Sequence, residues 1–281
     1  MDYADTLPPQ RRFGRTTRPD AWWVQPLLVF LGFSAFIVYS TWAAFHPLYH
    51  GQCAYWFGGN LIGGDSADYL SPFFSPEIFG YSPHAFAPPP AWWPGWLMFS
   101  PAFFILWAPA GFRFTCYYYR GAYYKGFWAD PVNCAVGEPR QSYLGEKYFP
   151  LVIQNVHRYF MYIAVVFIFI LGYDAWESFW FKPGLPGSAK HFGLGVGSIV
   201  LTLNVVFLAL YTFGCHSLRH LIGGFLDEPS KKPVCAKGYS CVSCLNRRHM
   251  MWAWISLFWV GFTDVYVRLC AMGVWHDFRI F

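Results

Sequence analysis

Five stretches of the chain, at about 24–46, 95–115, 151–173, 194–215 and 250–272, are apolar for roughly the 20 residues that a helix needs to cross a hydrocarbon core of about 30 Å. A soluble domain has no use for five such segments. The sequence therefore predicts an all-α integral membrane protein with five transmembrane helices. Only 12% of residues are charged, about half the usual share. Trp and Tyr favour the headgroup layer, and they crowd the segment ends: Trp22 and Trp23, Trp92, Trp93 and Trp96, Tyr117 to Tyr119, Trp176 and Trp180, Trp252 and Trp254. The first segment is too long and starts too far into the chain to be a cleavable signal peptide.

Positive residues stay cytoplasmic. The tail has Arg11, Arg12, Arg15 and Arg18, the loop 112–149 has five Lys or Arg and the loop 215–249 has six, whereas the loop 47–93 has none. The loop 174–191 adds only Lys182 and Lys190, and the C-terminal tail only Arg279. Fifteen against three puts the N-terminus in the cytoplasm and the C-terminus outside. The net charge of +5 thus describes topology. Nucleic acid binding has no support, because the basic residues form no separate domain.

The organisation read from this pattern is a cytoplasmic tail, 1–23, and one membrane domain, 24–281. The loop 47–93 is rich in Pro, Gly, Phe and Tyr, with turn-forming runs at Gly58-Gly59, Gly63-Gly64-Asp65 and Pro88-Pro89-Pro90. Its aromatic content is wrong for disorder, so it reads as an ordered outer cap on the membrane surface. The tail has little to fold around unless a partner supplies a surface.

Three segment ends on the cytoplasmic side present Cys or His: Cys116 in Thr115-Cys116-Tyr117, His157 in Asn155-Val156-His157-Arg158, and Cys215, His216 and His220 in Cys215-His216-Ser217-Leu218-Arg219-His220. His157 is expected six residues into its segment, roughly 9 Å deep. Intramembrane ionisable groups are costly and usually functional. Singly, each has a structural explanation: a histidine bonded to a neighbouring helix, or a thiol packed as a small hydrophobe. Their coincidence at one depth points instead to a bound redox metal. Two histidines on facing helices could ligate haem b, which leaves the cysteines without a role. Two Cys and two His match a Rieske-type 2Fe-2S cluster. The ligand set is then Cys116, His157, Cys215 and His220, with His216 as alternative to His220, since the two share a helix face four residues apart.

Cys235, Cys241 and Cys244, with His249, could supply four zinc ligands, or Cys241 and Cys244 could ligate a cluster. A lone CxxC is equally a partner-facing surface. Cys134 is a further alternative cluster ligand. Cys53 and Cys270 fall outside, where a disulfide is permitted.

Cys116-Tyr-Tyr-Tyr-Arg120, His157-Arg158-Tyr159-Phe160, Cys215-His216-Ser217-Leu218-Arg219-His220 and Cys244-Leu-Asn-Arg-Arg-His249 resemble the single-chain membrane anchor of actinobacterial, particularly mycobacterial, succinate dehydrogenase (respiratory complex II). The resemblance implies a five-helix subunit of the bacterial cytoplasmic membrane, without catalytic activity alone. It docks a flavoprotein and an iron-sulfur subunit, with a higher oligomer of that heterotrimer as the assembly. It also implies quinone held near their junction and a membrane-embedded Rieske-type cluster, where many other anchors carry haem b. Tyr119, Arg120, Arg158 and Tyr159 then become candidate quinone contacts, the alternative being boundary anchors touching lipid phosphate.

Asp264 and Arg268 share a face of the last segment, read as a packing ion pair or, functionally, as part of a proton route or second quinone pocket. A transporter would show inverted repeats and interrupted helices, and no repeat is evident. A passive docking protein would leave the Cys and His cluster unexplained.

Overall fold

The computed structural model describes residues 13–281 apart from 63, 131, 140–146, 150, 184–188 and 225–226. Arg11, Arg12 and Arg140 of the basic count, and the loop residues Gly63 and Pro131, lie outside the described residues. The helices in chain order are α1 (Val24–Phe45), α2 (Ala102–Ile105), α3 (Trp107–Phe114), α4 (Tyr117–Tyr123), α5 (His157–Glu177), α6 (Val196–Phe213), α7 (His216–Gly223), α8 (Pro233–Asn246) and α9 (His249–Ala271). Among the described residues four helical stretches are long and apolar enough to cross a membrane: α1, α5 with the 3₁₀ turn Leu151–Val156 before it, α6 and α9.

The expected span at 95–115 is not one helix. Pro94 and Pro101 keep residues 95–101 out of helical structure, and the remainder divides at Leu106 into α2 and α3. Pro109 is tolerated because it lies in the first turn of α3, where backbone N–H groups have no helical acceptor. The broken segment still runs from one end of its bundle to the other. Phe103 meets Phe45 at the C-terminal end of α1, while Phe112 stacks on His157 at the start of α5. His157 lies six residues into the apolar stretch Leu151–Glu177, as expected, where the 3₁₀ turn Leu151–Val156 gives way to α5. One further expectation changes. The basic stretch 215–249 is largely helical, as α7 and α8.

The chain forms two compact units, one of the residues up to Ala35 with Phe114–Asn155, the other of Phe36–Arg113 with Val156–Phe281. In the first, the tail does find a surface. Gly14 N–H donates to Gly137 O (3.0 Å) and Gly137 N–H to Arg15 O (2.8 Å). Arg18 donates to Asn133 Oδ1 and to Cys134 O, and Thr16 Oγ1 to Ala135 O. After α4 comes a π-helical turn, Tyr124–Trp128. Its Gly126 lies against α1 so closely that a Cβ would sit 3.2 Å from Val29 Cγ1 and 3.3 Å from Phe30 N.

In the second unit α6 packs against both α5 and α9. The cap is ordered, as its composition requires. It carries the antiparallel pairs β1 (Leu48–Tyr49) with β2 (Gln52–Cys53) and β3 (Trp56–Phe57) with β4 (Tyr69–Leu70). A third pair, β5 (Trp180–Phe181) with β6 (His191–Phe192), joins it from the loop after α5. Ser66 bridges Lys182, Ile62 N–H donates to Asp277 O, and Arg279 pairs with Asp65. The three segments that the charge count assigns to one side therefore meet at one end of this unit. Cys53 and Cys270 there are free thiols.

Carboxylates fasten the cap to the helices. Asp277 accepts from Tyr69 (2.5 Å), Tyr266 (2.6 Å) and Gly197 N–H (3.1 Å). Residue 197 must be glycine, because a Cβ would fall 2.2 Å from the Tyr69 ring. Asp264 accepts from Tyr39 (2.6 Å), from Ser71 and from Arg268 (3.3 Å), and Asp174 accepts from Ser75. A fourth carboxylate, Asp68, lies within the cap. Burial alone would raise its pKa, but hydrogen bonds from His84 and Trp56 and the charges of His84 and Lys182 outweigh that and hold it at about 2. His84 is raised above its usual 6.5, chiefly by its hydrogen bond to Asp68 (2.6 Å) and then by that charge, against desolvation.

This pair predicts a pH dependence. Histidine has the higher folded-state pKa, so its contribution is complete below 6.5 and is lost as pH rises through the raised value. Asp68 contributes above 3.8 and loses its contribution as pH falls towards 2. Thermal unfolding of the purified protein between about pH 6 and 9 should show a falling limb that His84→Gln flattens. Equal slopes for the two proteins would refute the assignment.

Candidate functional site

The chemistry-bearing side chains of the second unit converge where α5, α7 and α9 begin. His157 Nε2 lies 3.2 Å from Cys215 Sγ. The His157 ring stacks on Phe112, with centroids 4.9 Å apart and planes 4° from parallel. Phe112 also packs on Tyr211 (5.3 Å), and Tyr211 stacks on His249 (4.9 Å). His249 is 1% exposed and adjoins Gly214, where a Cβ would be 3.1 Å from its Nδ1. Two aromatic rings thus form a wall against which both histidines lie.

Cys215 is the N-cap residue of α7, with extended backbone at φ −64° and ψ 138°. Cys116, in the first unit, holds the same position before α4, with φ −68° and ψ 131°. Each is followed four residues later by an arginine whose N–H donates back to the cysteine carbonyl: Arg120 to Cys116 (2.9 Å) and Arg219 to Cys215 (3.1 Å). Both thiols are buried.

His220 does not join His157. It is exposed, and its Nε2 shares a hydrogen bond of 2.9 Å with that of His216. One ring must therefore be the acceptor and neutral. The His216 pKa is lowered accordingly, by partial burial first and then by the charges of His220 and Arg219. The two line an open groove with Arg219, Ala236 and Tyr239. Helix periodicity places His216 and His220 on one face correctly, but the packing of α7 on α8 turns that face away from His157. His249 is the buried second histidine.

The remaining thiols stay apart. Cys235, Cys241 and Cys244 are exposed on α8, while His249 is buried at the start of α9, so the four-ligand zinc arrangement is not assembled. Cys134 is exposed in the first unit, its N–H bonded to Asn133 Oδ1. Among the described residues no three His, Cys, Asp or Glu side chains form a ready-made metal site. By donor chemistry, Cys215, His157 and His249 of the second unit are residue types that ligate a cluster iron, and the two histidines alone are those that ligate haem.

A cleft of about 140 Å³ opens among the helices on the other side of the aromatic wall, lined by Phe36, Phe73, Leu106, Ile168, Leu208 and Val260 among others, and ending at Phe112, Arg113, Tyr211 and Thr212. None of the four expected quinone contacts lines it. Tyr119 is buried edge-on against Phe33, and Arg120 covers the Tyr117 ring. Arg158 and Tyr159 are exposed. The cation at the cleft is Arg113, which the charge count treats as a loop residue. It donates to Ala253 O (3.2 Å) and Ser256 Oγ (3.1 Å) and lies over Tyr211 at 4.8 Å. A charge at the end of an apolar segment was the available signal, and its inward direction was not legible.

Residues 24–273 match the family described as actinobacterial succinate dehydrogenase subunit SdhC. The chain belongs to this family. It is also similar to a chain of the solved Mycobacterium smegmatis Sdh1 complex in the apo form, with 41% identity and a TM-score of 0.81 over 98% of this chain and 96% of that chain. No curated protein matches. The chain is accordingly a multi-pass subunit of bacterial succinate dehydrogenase, resident in the membrane and not catalytic alone.

Proposed function

We propose that this SdhC-family chain anchors the flavoprotein and iron-sulfur subunits to the cytoplasmic membrane and carries the site where quinone is reduced. The observation that supports it most directly is adjacency. The apolar cleft ends on Phe112 and Tyr211, and those rings contact His157 and His249 beside Cys215. Five crossings, with α2 and α3 as the broken second one, put the N-terminus and the α7–α8 layer in the cytoplasm. The exposed Lys231, Lys232, Lys237, Arg247 and Arg248 of that layer then face the two soluble subunits.

In the second unit Cys215, His157 and His249 would hold a Rieske-type 2Fe-2S cluster, with Cys116 the further thiol that the sequence offers. Such a centre supplies one-electron relay at a raised potential. The chain does the rest. The aliphatic and aromatic lining of the cleft excludes water around a quinone ring and accepts its apolar tail. Arg113, held by Ala253 O and Ser256 Oγ, sets a fixed positive charge at the end of the cleft, where it stabilises negative charge developing on a quinone oxygen. The Tyr211 and Thr212 hydroxyls lie at the same end and can pass protons, of which quinol formation consumes two.

EPR and absorption spectra of the dithionite-reduced complex test the reading. A signal with an average g-value below that of all-Cys 2Fe-2S centres, without a haem Soret band, is expected. A bis-histidine haem spectrum would transfer His157 and His249 to haem b and leave the thiols structural.

A further inference from the structure

We propose that one edge of the cap, residues 86–98, is embedded in the lipid headgroup layer and anchors the cap sideways to the bilayer. The sequence from Ile78 to Phe112 contains no Asp, Glu, Lys or Arg, yet this edge is open: Phe86 is 82%, Trp92 67% and Trp96 85% exposed. Contiguous exposed aromatic surface of this kind marks an interaction site.

Its continuity identifies the occupant. Phe45, itself half exposed at the end of the membrane-spanning α1, packs on Phe103 (5.0 Å). Phe103 stacks on Trp93 (6.0 Å), which contacts Trp92 (5.9 Å). The apolar face of the helices thus passes without interruption onto the cap edge. Of the charged residues of the cap, Asp65, Asp68, Lys182 and Arg279 are bonded to one another or to His84 and His191, and Glu77 is buried and accepts from Tyr55 and Ser82. Such polarity suits a bilayer edge on one side and water on the other.

Backbone chemistry sets the depth. Irregular backbone cannot enter hydrocarbon with unpaired N–H groups, and four of the residues 86–98 are prolines without one. Trp93 N–H closes a turn onto Pro90 O (3.0 Å) and Leu97 N–H closes one onto Pro94 O (3.1 Å), so Trp96 sits near the tip of a closed turn. The few remaining donors need water or lipid ester oxygens, which the headgroup layer offers and the core does not. Indoles favour the same layer. The inference rests on the membrane placement of the helices and not on the redox reading, so the two fail separately.

The test uses the assembled complex in lipid nanodiscs. Trp96→Cys and, independently, Phe86→Cys are labelled with an environment-sensitive thiol dye, with Lys190→Cys as the reference on the charged side and the labelled parent subtracted. Lipid carrying a nitroxide at acyl position 5 should quench the Trp96 and Phe86 probes more than lipid carrying it at position 12, and iodide should quench them about threefold less than the reference. Should one variant fail to assemble, the other gives the same readout. Iodide quenching equal to the reference without nitroxide quenching would place the edge in water. Stronger quenching from position 12 would place it in the hydrocarbon core. Protection from both quenchers that disappears when the complex is dispersed into single protomers would mean that a second copy covers it. Each of these three results overturns the proposal.

Discussion

Replacing His157 by alanine should reduce electron delivery to quinone by about 100-fold or more, the scale on which metal-site ligands and their supports act. Succinate oxidation measured with an artificial soluble acceptor should continue, because the flavin belongs to another subunit. His249→Ala should behave in the same way, since both rings lie on the wall made by Phe112 and Tyr211. His220→Ala should leave quinone reduction within about twofold, because His220 is exposed and bonded only to His216 among the described residues. A packing histidine would give another pattern: less assembled complex, but quinone reduction per complex close to normal and an unchanged EPR signal. Normal quinone reduction by the His157 and His249 variants would end the metal-site reading. A loss specific to His220→Ala would return the ligand to α7.

The second large effect concerns Arg268. Arg268→Ala should destabilise the complex by about 3–5 kcal/mol, the range for removing one member of a buried ion pair. Asp264 is 0% and Arg268 4% exposed, so the remaining carboxylate would stay buried beside Tyr39 and Ser71. Arg268 also donates to His46 O (2.5 Å) and Ala43 O (3.2 Å), satisfying carbonyls at the C-terminal end of α1 where a cation is favoured. Loss of assembled complex and a large fall in Tm are the expected readouts, and the double change Asp264→Asn with Arg268→Met should recover much of both. Parent-like Tm in Arg268→Ala would show that the pair carries no such energy. These contacts tie α1, α9 and the cap together, so the packing reading of the pair has direct geometric support.

Several parts of this architecture were legible along the chain. Pro94, Pro101 and Pro109 announced that the segment at 95–115 could not be a plain helix, although hydropathy alone overrode them. The aromatic content of residues 47–93 announced an ordered cap, but not that Asp264, Asp277 and Asp174 would hold it, because those partners are far away in sequence. The same distance hid the seat of the N-terminal tail, where residues 14–18 bond to residues 133–137. The two N-cap cysteines share the visible spacing Cys-x-x-x-Arg, at Cys116 and Cys215, and the structure shows why: each arginine closes the first helical turn onto its cysteine.

What the sequence determined by itself is residence in the membrane, the positions of the apolar segments and the presence of Cys and His at their ends. These are local sums, since the transfer free energy of a segment into a bilayer accumulates residue by residue. Tertiary structure alone decided which way each side chain turns. Lipid is as apolar as a protein core, so hydrophobicity does not mark the inward face of a membrane helix. That choice falls to close packing and to a few polar contacts. Arg113 turns inward because Ala253 O and Ser256 Oγ receive it. His249, and not His220, is buried with Tyr211 because α7 packs on α8 and leaves His220 to solvent.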